Sequence, residues 1–166
     1  DTADAGRQQA LAGPQRPGGA GIHTAYAIRE MQGREAFLAE SRGLWRTRDA
    51  GETWGKAPVL AGTCISVDVD PGNRKVVYAI LRGQGLCRTD NLTQWSAPKH
   101  AEIDAHEVVC HPHAKGTVLL ASRTTGLWIS TDKGETFAPL APGIPEAIPA
   151  ITHVGAHPTD GTQMMA

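Results

Sequence analysis

A chain of 166 residues with a formal net charge of −1 and a pI near 6.7 offers no basic field for nucleic acid or an anionic membrane surface. Hydrophobic residues at 40% and charged residues at 20% are ordinary globular values, and the length suits one domain with its own core. No apolar run approaches the roughly 20 residues that cross a bilayer, and three cysteines, Cys64, Cys87 and Cys110, are too few and too odd for a disulfide framework.

The first stretch, "DTADAGRQQALAGPQRPGGA", lacks apolar periodicity and is rich in Gly, Gln and Pro, so residues 1–21 are expected to be a linker or a disordered remnant of a preceding loop. The chain opens at Asp1 without Met, which suggests an excised segment of a longer protein. Arg exceeds Lys and Ala and Gly are abundant, a composition that points to a GC-rich bacterial gene.

From residue 22 onward the chain repeats. "GLWRTRDAGETW" begins at Gly43, "GLCRTDNLTQW" at Gly85 and "GLWISTDKGETF" at Gly126, at intervals of 42 (43 to 85) and 41 (85 to 126). A residue-Pro turn keeps step at Asp70-Pro71, His111-Pro112 and His157-Pro158, each after an apolar stretch. Short strands "KVVYAIL" (Lys75–Leu81) and "TVLLAS" (Thr117–Ser122) follow the first two turns. The only helix-like stretch, Ile28–Glu40, contains "EAFLAES", which aligns with these second strands and is read as strand. One unit is therefore strand, turn, strand, tight turn, strand, Asp-Gly turn, strand. Four short strands in about 40–45 residues define a β-propeller blade. The expected blades are 22–62, 63–103 and 104–145, with a partial one at 146–166.

In the first box, alternation puts Trp45 and Thr47 on one face of a strand and Leu44 and Arg46 on the other. Asp49 is placed to accept backbone N–H groups of the turn, Gly51 to supply positive φ, and Thr53 and Trp54 to start the return strand. Ser130, Asp132, Gly134, Thr136 and Phe137 repeat those offsets. The middle copy keeps Thr89, Asn91 and Trp95, loses the Gly and is one residue shorter. Its Cys87 replaces the Trp of the sister repeats and is expected to be a buried thiol. This pattern resembles the Asp-box, or BNR repeat, of sialidase-type propellers, over about residues 22–166. The resemblance implies that the box is a structural staple at the blade rim, remote from the ligand face, so that Asp49 and Asp132 serve folding.

The resemblance implies either sialidase-like and polysaccharide-active hydrolases or non-catalytic receptor and assembly propellers, and fold does not choose among them. The Arg-Ile-Pro motif of sialidases is missing; "GIP" (Gly143–Pro145) lacks its Arg, and Tyr26 and Tyr78 lie in apolar strand patterns. Asp68, Asp70, Asp104 and Glu107 lie at or near first strands, which line a propeller's channel, and are the candidate catalytic carboxylates. Asp70 also reads as the start of the turn before Pro71. "HEVVCHPH" gathers His106, His111 and His113 around Cys110, ligand types that suit zinc, but at no familiar metal spacing. "NLT" (Asn91–Thr93) is a formal glycosylation sequon that matters only in a secreted eukaryotic protein.

The fold expectation is all-β: a propeller of four-stranded Asp-box blades, about 3.5 of them, as part of a six- to eight-bladed ring. The leading function is a non-catalytic binding or scaffold module with a carbohydrate or protein ligand. The alternative is part of an exported glycoside hydrolase whose catalytic residues lie partly outside this segment. No metal, cofactor, nucleic acid or membrane span is expected. The ring would be completed by further blades or by self-association, and the resemblance favours a periplasmic or extracellular setting.

Overall fold

A computed structural model describes residues 25–30, 33–58, 61–140, 155–156 and 164–165. The expected linker at 1–21, "GIP" and the turn at His157-Pro158 lie outside them, as do the side chains of the first strand, Tyr26 included.

Three antiparallel sheets follow one another along the chain. The first is β1 (Ala25–Glu30), β2 (Ala36–Glu40), β3 (Gly43–Thr47) and β4 (Gly55–Lys56), in that spatial order. The second is β5 (Cys64–Val69), β6 (Val77–Leu81) and β7 (Gly85–Thr89). A single 3₁₀ turn, Ala101–Ile103, leads to the third: β8 (Ala105–Cys110), β9 (Val118–Ser122), β10 (Gly126–Ser130) and β11 (Ala138–Pro139). Two short strands, β12 (Gly155–Ala156) and β13 (Met164–Met165), pair antiparallel beyond it. The described residues of the helix-like stretch at Ile28–Glu40 include part of β1 and all of β2, which pair antiparallel.

The second sheet departs from the expected four strands. Opposite β7 there are only two isolated bridges, Leu86 with Lys99 and Thr89 with Trp95. Four residue steps on the outer segment (95 to 99) face three on β7 (89 to 86), so the ladder slips by one residue. The Ser96 hydroxyl accepts the Arg88 N–H at 3.0 Å, and Pro98 has no N–H to contribute.

The three sheets stack face to face with their first strands adjacent: β5 lies against both β1 and β8. Alternation along β6 explains why all five of its residues are buried. Val77, Ala79 and Leu81 pack toward the first sheet with Phe37, Ala39 and Leu44, while Tyr78 and Ile80 pack toward the third with Val108, Val118 and Leu120. Leu119, Ala121 and Leu127 build another cluster on the far face of the third sheet. β6 and β9, buried along their whole length, must therefore be apolar on both faces, at about 25 cal/mol per Å² of apolar surface removed from water, whereas β2 keeps Leu38 half-buried and carries Glu40.

Side chains stitch the first strands together. Ser66 Oγ accepts the Val108 N–H at 3.2 Å, and Asp68 Oδ2 accepts the Cys110 N–H at 2.7 Å. Each of the three first strands also shifts register against its second strand near its start, between Ala25 and Ala27, Cys64 and Ser66, and Ala105 and Glu107. Register also defines two ends. Cys64, Leu81 and Gly85 are level at one end of the second sheet, and Val69, Val77 and Thr89 are level at the other. The boxes and the turns at Asp70-Pro71 and His111-Pro112 share that second end.

Two consequences are measurable by chemical denaturation. A Cβ at Gly85 (φ 103°) would lie 2.1 Å from the Lys99 carbonyl oxygen, whereas Gly83 (φ 69°) has open space around it. Gly85→Ala is expected to cost on the order of 3 kcal/mol, and Gly83→Ala about 1, the backbone term alone. Tyr78 is fully buried and its hydroxyl makes no hydrogen bond among the described residues. Tyr78→Phe is expected to raise stability by about 1 kcal/mol, because it removes a desolvated, unpaired hydroxyl.

Candidate functional site

The boxes are closed side-chain-to-backbone networks. In the first, Asp49 Oδ1 accepts the Thr47 hydroxyl at 2.7 Å and the Thr53 N–H at 2.8 Å, and Asp49 Oδ2 accepts the Thr53 hydroxyl. The Thr47 oxygen accepts the Gly51 N–H at 2.9 Å. In the third copy, Asp132 Oδ1 accepts the Ser130 hydroxyl at 2.7 Å and the Thr136 N–H at 2.9 Å, and its Oδ2 accepts the Thr136 hydroxyl at 2.6 Å. Gly134 N–H donates to Ser130 Oγ at 2.8 Å. In the middle copy Asn91 Oδ1 stands in, accepting the N–H groups of Thr93 at 3.0 Å and Gln94 at 2.8 Å.

The turns use more left-handed backbone than the glycines suggest: Ala50 (φ 61°) precedes Gly51 (φ 88°), and Lys133 (φ 65°) precedes Gly134 (φ 82°). The shortened middle loop has one such residue, Leu92 (φ 65°), which accounts for the missing Gly. Trp54 differs from the expectation. It stays half-buried and its Nε1 donates to the Gly51 carbonyl at 3.1 Å, so it closes its own loop, and the return strand begins after it. Phe137 and Trp95 do pack on the neighbouring sheet's core. Trp45 and Trp128 are half-buried and polar-tethered, with Nε1 donating to Glu40 at 2.7 Å and to Thr125 at 3.0 Å, whereas Cys87 in their place is fully buried.

Asp68 and Asp70 serve the backbone. Asp68 binds the Val69 and Cys110 N–H groups. Asp70 is buried and its Oδ1 accepts the Gly72 N–H at 2.8 Å and the Asn73 N–H at 3.3 Å. His111 does the same job one repeat later: its Nδ1 accepts the N–H groups of His113 at 3.1 Å and Ala114 at 3.0 Å. That lone pair is committed to the turn, and among the described residues no three His, Cys, Asp or Glu side chains gather as for a metal. Asp104 is exposed with φ 49° and caps the 3₁₀ turn; Glu107 is half-buried on β8. The register that sets Ser66 against Val108 and Asp68 against Cys110 leaves Glu107 about three residues, roughly 10 Å, from the level of Asp68. Asp68 and Asp70 thus belong to one end of the first strands, and Asp104 to the other.

Among the described residues, Asp49, Asp132 and Glu135 are held below their ordinary values. The Thr53 hydroxyl, the Thr53 N–H and the Thr47 hydroxyl hold Asp49 down at about 2, and Thr136 and Ser130 hold Asp132 well below the usual range. Lys99 lowers Glu135. Burial pushes the Cys64 thiol up to about 12 and Cys87 up to about 11, so neither is a nucleophile near neutral pH.

Two grooves lie between neighbouring boxes, and the sequence reading missed both. One, of about 290 Å³, separates the second and third boxes and holds Arg88, Asp90, Lys99 and Glu135. The other, of about 410 Å³, lies between the first box hairpin and the middle loop, and is lined by Arg46, Arg48 and Lys56. The available signal was an Arg at the same offset, three residues after Gly43 and Gly85.

This architecture is that of a β-propeller: successive antiparallel blades stacked face to face with their first strands adjacent. Solved structures agree. An ancestral GH74 enzyme superposes with a TM-score of 0.66 at 19% identity, covering 81% of this chain and 20% of that one. YCF48 bound to D1 peptide gives 0.59 at 15% identity, covering 69% of this chain and 39% of that one. A GH74 enzyme from Niastella koreensis gives 0.56 at 17% identity, covering 71% and 22%. The chain therefore spans about a fifth of the length of the first of these structures. No protein-family profile and no curated protein sequence matches it.

The charged box is testable through pH. Asp49 titrates near 2 when folded against an ordinary value of 3.8, so the unfolded chain binds the extra proton between those values. Its contribution is fully present above about pH 4 and lost as pH falls toward 2. Urea midpoints measured from pH 5 to 2 are expected to fall more steeply for the parent protein than for Asp49→Asn; identical slopes would contradict the assignment.

Proposed function

We propose that the chain is a non-catalytic Asp-box (BNR) propeller module whose role is to bind or scaffold. The observation that carries this reading is the occupation of its inner-strand carboxylates: Asp68 and Asp70 are committed to backbone N–H groups. A glycosidase needs two carboxyl groups facing the sugar, and the N–H groups of Gly72, Asn73, Val69 and Cys110 occupy these two. The similarity to YCF48 bound to D1 peptide supports a protein ligand.

A second reading is favoured by the similarity to GH74 enzymes: a portion of a glycoside hydrolase, with Asp104 and Glu107 at the open end of the first strands as its local carboxylates. Reducing-sugar release from xyloglucan, and aryl-glycoside hydrolysis, decide between them. The expected result is no release above a protein-free blank. Turnover abolished by Asp104→Asn or Glu107→Gln, at unchanged folded content, would install the hydrolase reading instead.

A further inference from the structure

We propose that His100 is a proton-operated clasp across the seam between the second and third blades. Its ring stands between two groups that only accept. Nε2 lies 3.2 Å from the Gly134 carbonyl oxygen, and Nδ1 lies 3.4 Å from Glu102 Oε1. A neutral imidazole carries one N–H and serves one of them; the imidazolium serves both. With the proton on Nε2 alone, the Nδ1 lone pair faces a carboxylate. Protonation turns that opposition into an ion pair and makes the bond to Gly134 charge-assisted, roughly twice as strong as a neutral one.

The fold places the ring. His100 follows Lys99, whose N–H and carbonyl both pair with Leu86, and takes left-handed backbone with φ 62°. From there the side chain reaches the third box, meets Phe137 edge to face at 5.0 Å between centroids, and stays only 17% exposed. The groove of about 290 Å³ has Lys99 on its second-blade wall and Gly134 and Glu135 on its third-box wall, so the clasp ties those two walls together. The first seam lacks the device. Ala57 donates to Leu44 as Lys99 does to Leu86, so Pro58 stands where His100 does and brings no donor.

The charged groups around the ring are Lys99, Glu102 and Asp104 on its own segment, Arg88 on β7, and Asp132, Lys133 and Glu135 on the third box. Carboxylates, Lys and Arg ordinarily keep their charge between pH 8 and 5, and Lys99 holds Glu135 lower still. Of this set, His100 is the group that changes charge in that range. The inference rests on the outer strands alone and holds under either reading of the function.

NMR of the full chain from pH 8 to 5, following the His100 ring and the backbone amides of 134–137, tests it. The amide signals of Gly134 and Glu135 are expected to move with the midpoint of the His100 ring. Their hydrogen exchange, corrected for its intrinsic pH dependence, is expected to slow at least three-fold on acidification. His100→Asn, which tolerates left-handed backbone, is expected to abolish both effects with circular dichroism unchanged. Glu102→Gln, at an exposed position, is expected to lower the ring's midpoint by about half a pH unit, and it serves if the first variant does not fold. Box amides indifferent to the ring's titration, the same movement in folded His100→Asn, or an unmoved midpoint in Glu102→Gln would overturn the proposal.

Discussion

Burial of the second strands β6 and β9 on both of their faces is the constraint from which the rest follows. A sheet of three or four short strands has too little surface to make a core alone, so it must be covered on each side by another sheet. β6 meets this with five buried residues, split between two clusters shared with its neighbours. The blades then have to lie parallel and in step. Ser66 and Asp68 hold the β5–β8 junction in step by accepting N–H groups from the next first strand.

At the outer side of each blade the third strand must turn back within a few residues. The box solves that with hydrogen bonds internal to one hairpin, which is why it is exposed and yet closed. Asp49 and Asp132 carry their charge in water, and their depressed titration reflects hydroxyl and amide donors rather than burial. The middle copy shows how far the device tolerates change. Asn91 retains the acceptor, one left-handed residue suffices for a shorter loop, and Trp95 still reaches the core of the neighbouring blade. The fourth strand is what suffers, because Ser96 and Pro98 interrupt its ladder.

The turns at Asp70 and His111 show the same economy with different chemistry. A carboxylate and an imidazole both receive two backbone N–H groups ahead of a chain reversal. Two features that looked like chemistry in the sequence, a channel carboxylate and a histidine cluster, are thus used in part for backbone satisfaction. Charge between the blades is paired as well: Arg88 meets Asp90 and Lys99 meets Glu135 in the second groove, and Arg46 meets Glu35 at the first.

The repeat interval, the alternation in "KVVYAIL" and "TVLLAS", and the box offsets determined the blade and the hairpin by themselves, because strand period and turn chemistry act over a few residues. The same local logic placed Cys87 in the core. It erred where the outcome depends on a neighbour across space. Trp54 folds onto its own loop and Trp45 keeps its indole N–H for Glu40. The two inter-blade grooves join residues about 40 positions apart, such as Arg88 and Glu135, 47 residues apart in the chain. Only blade stacking brings such pairs together, so it decided which charges are neutralised and which remain.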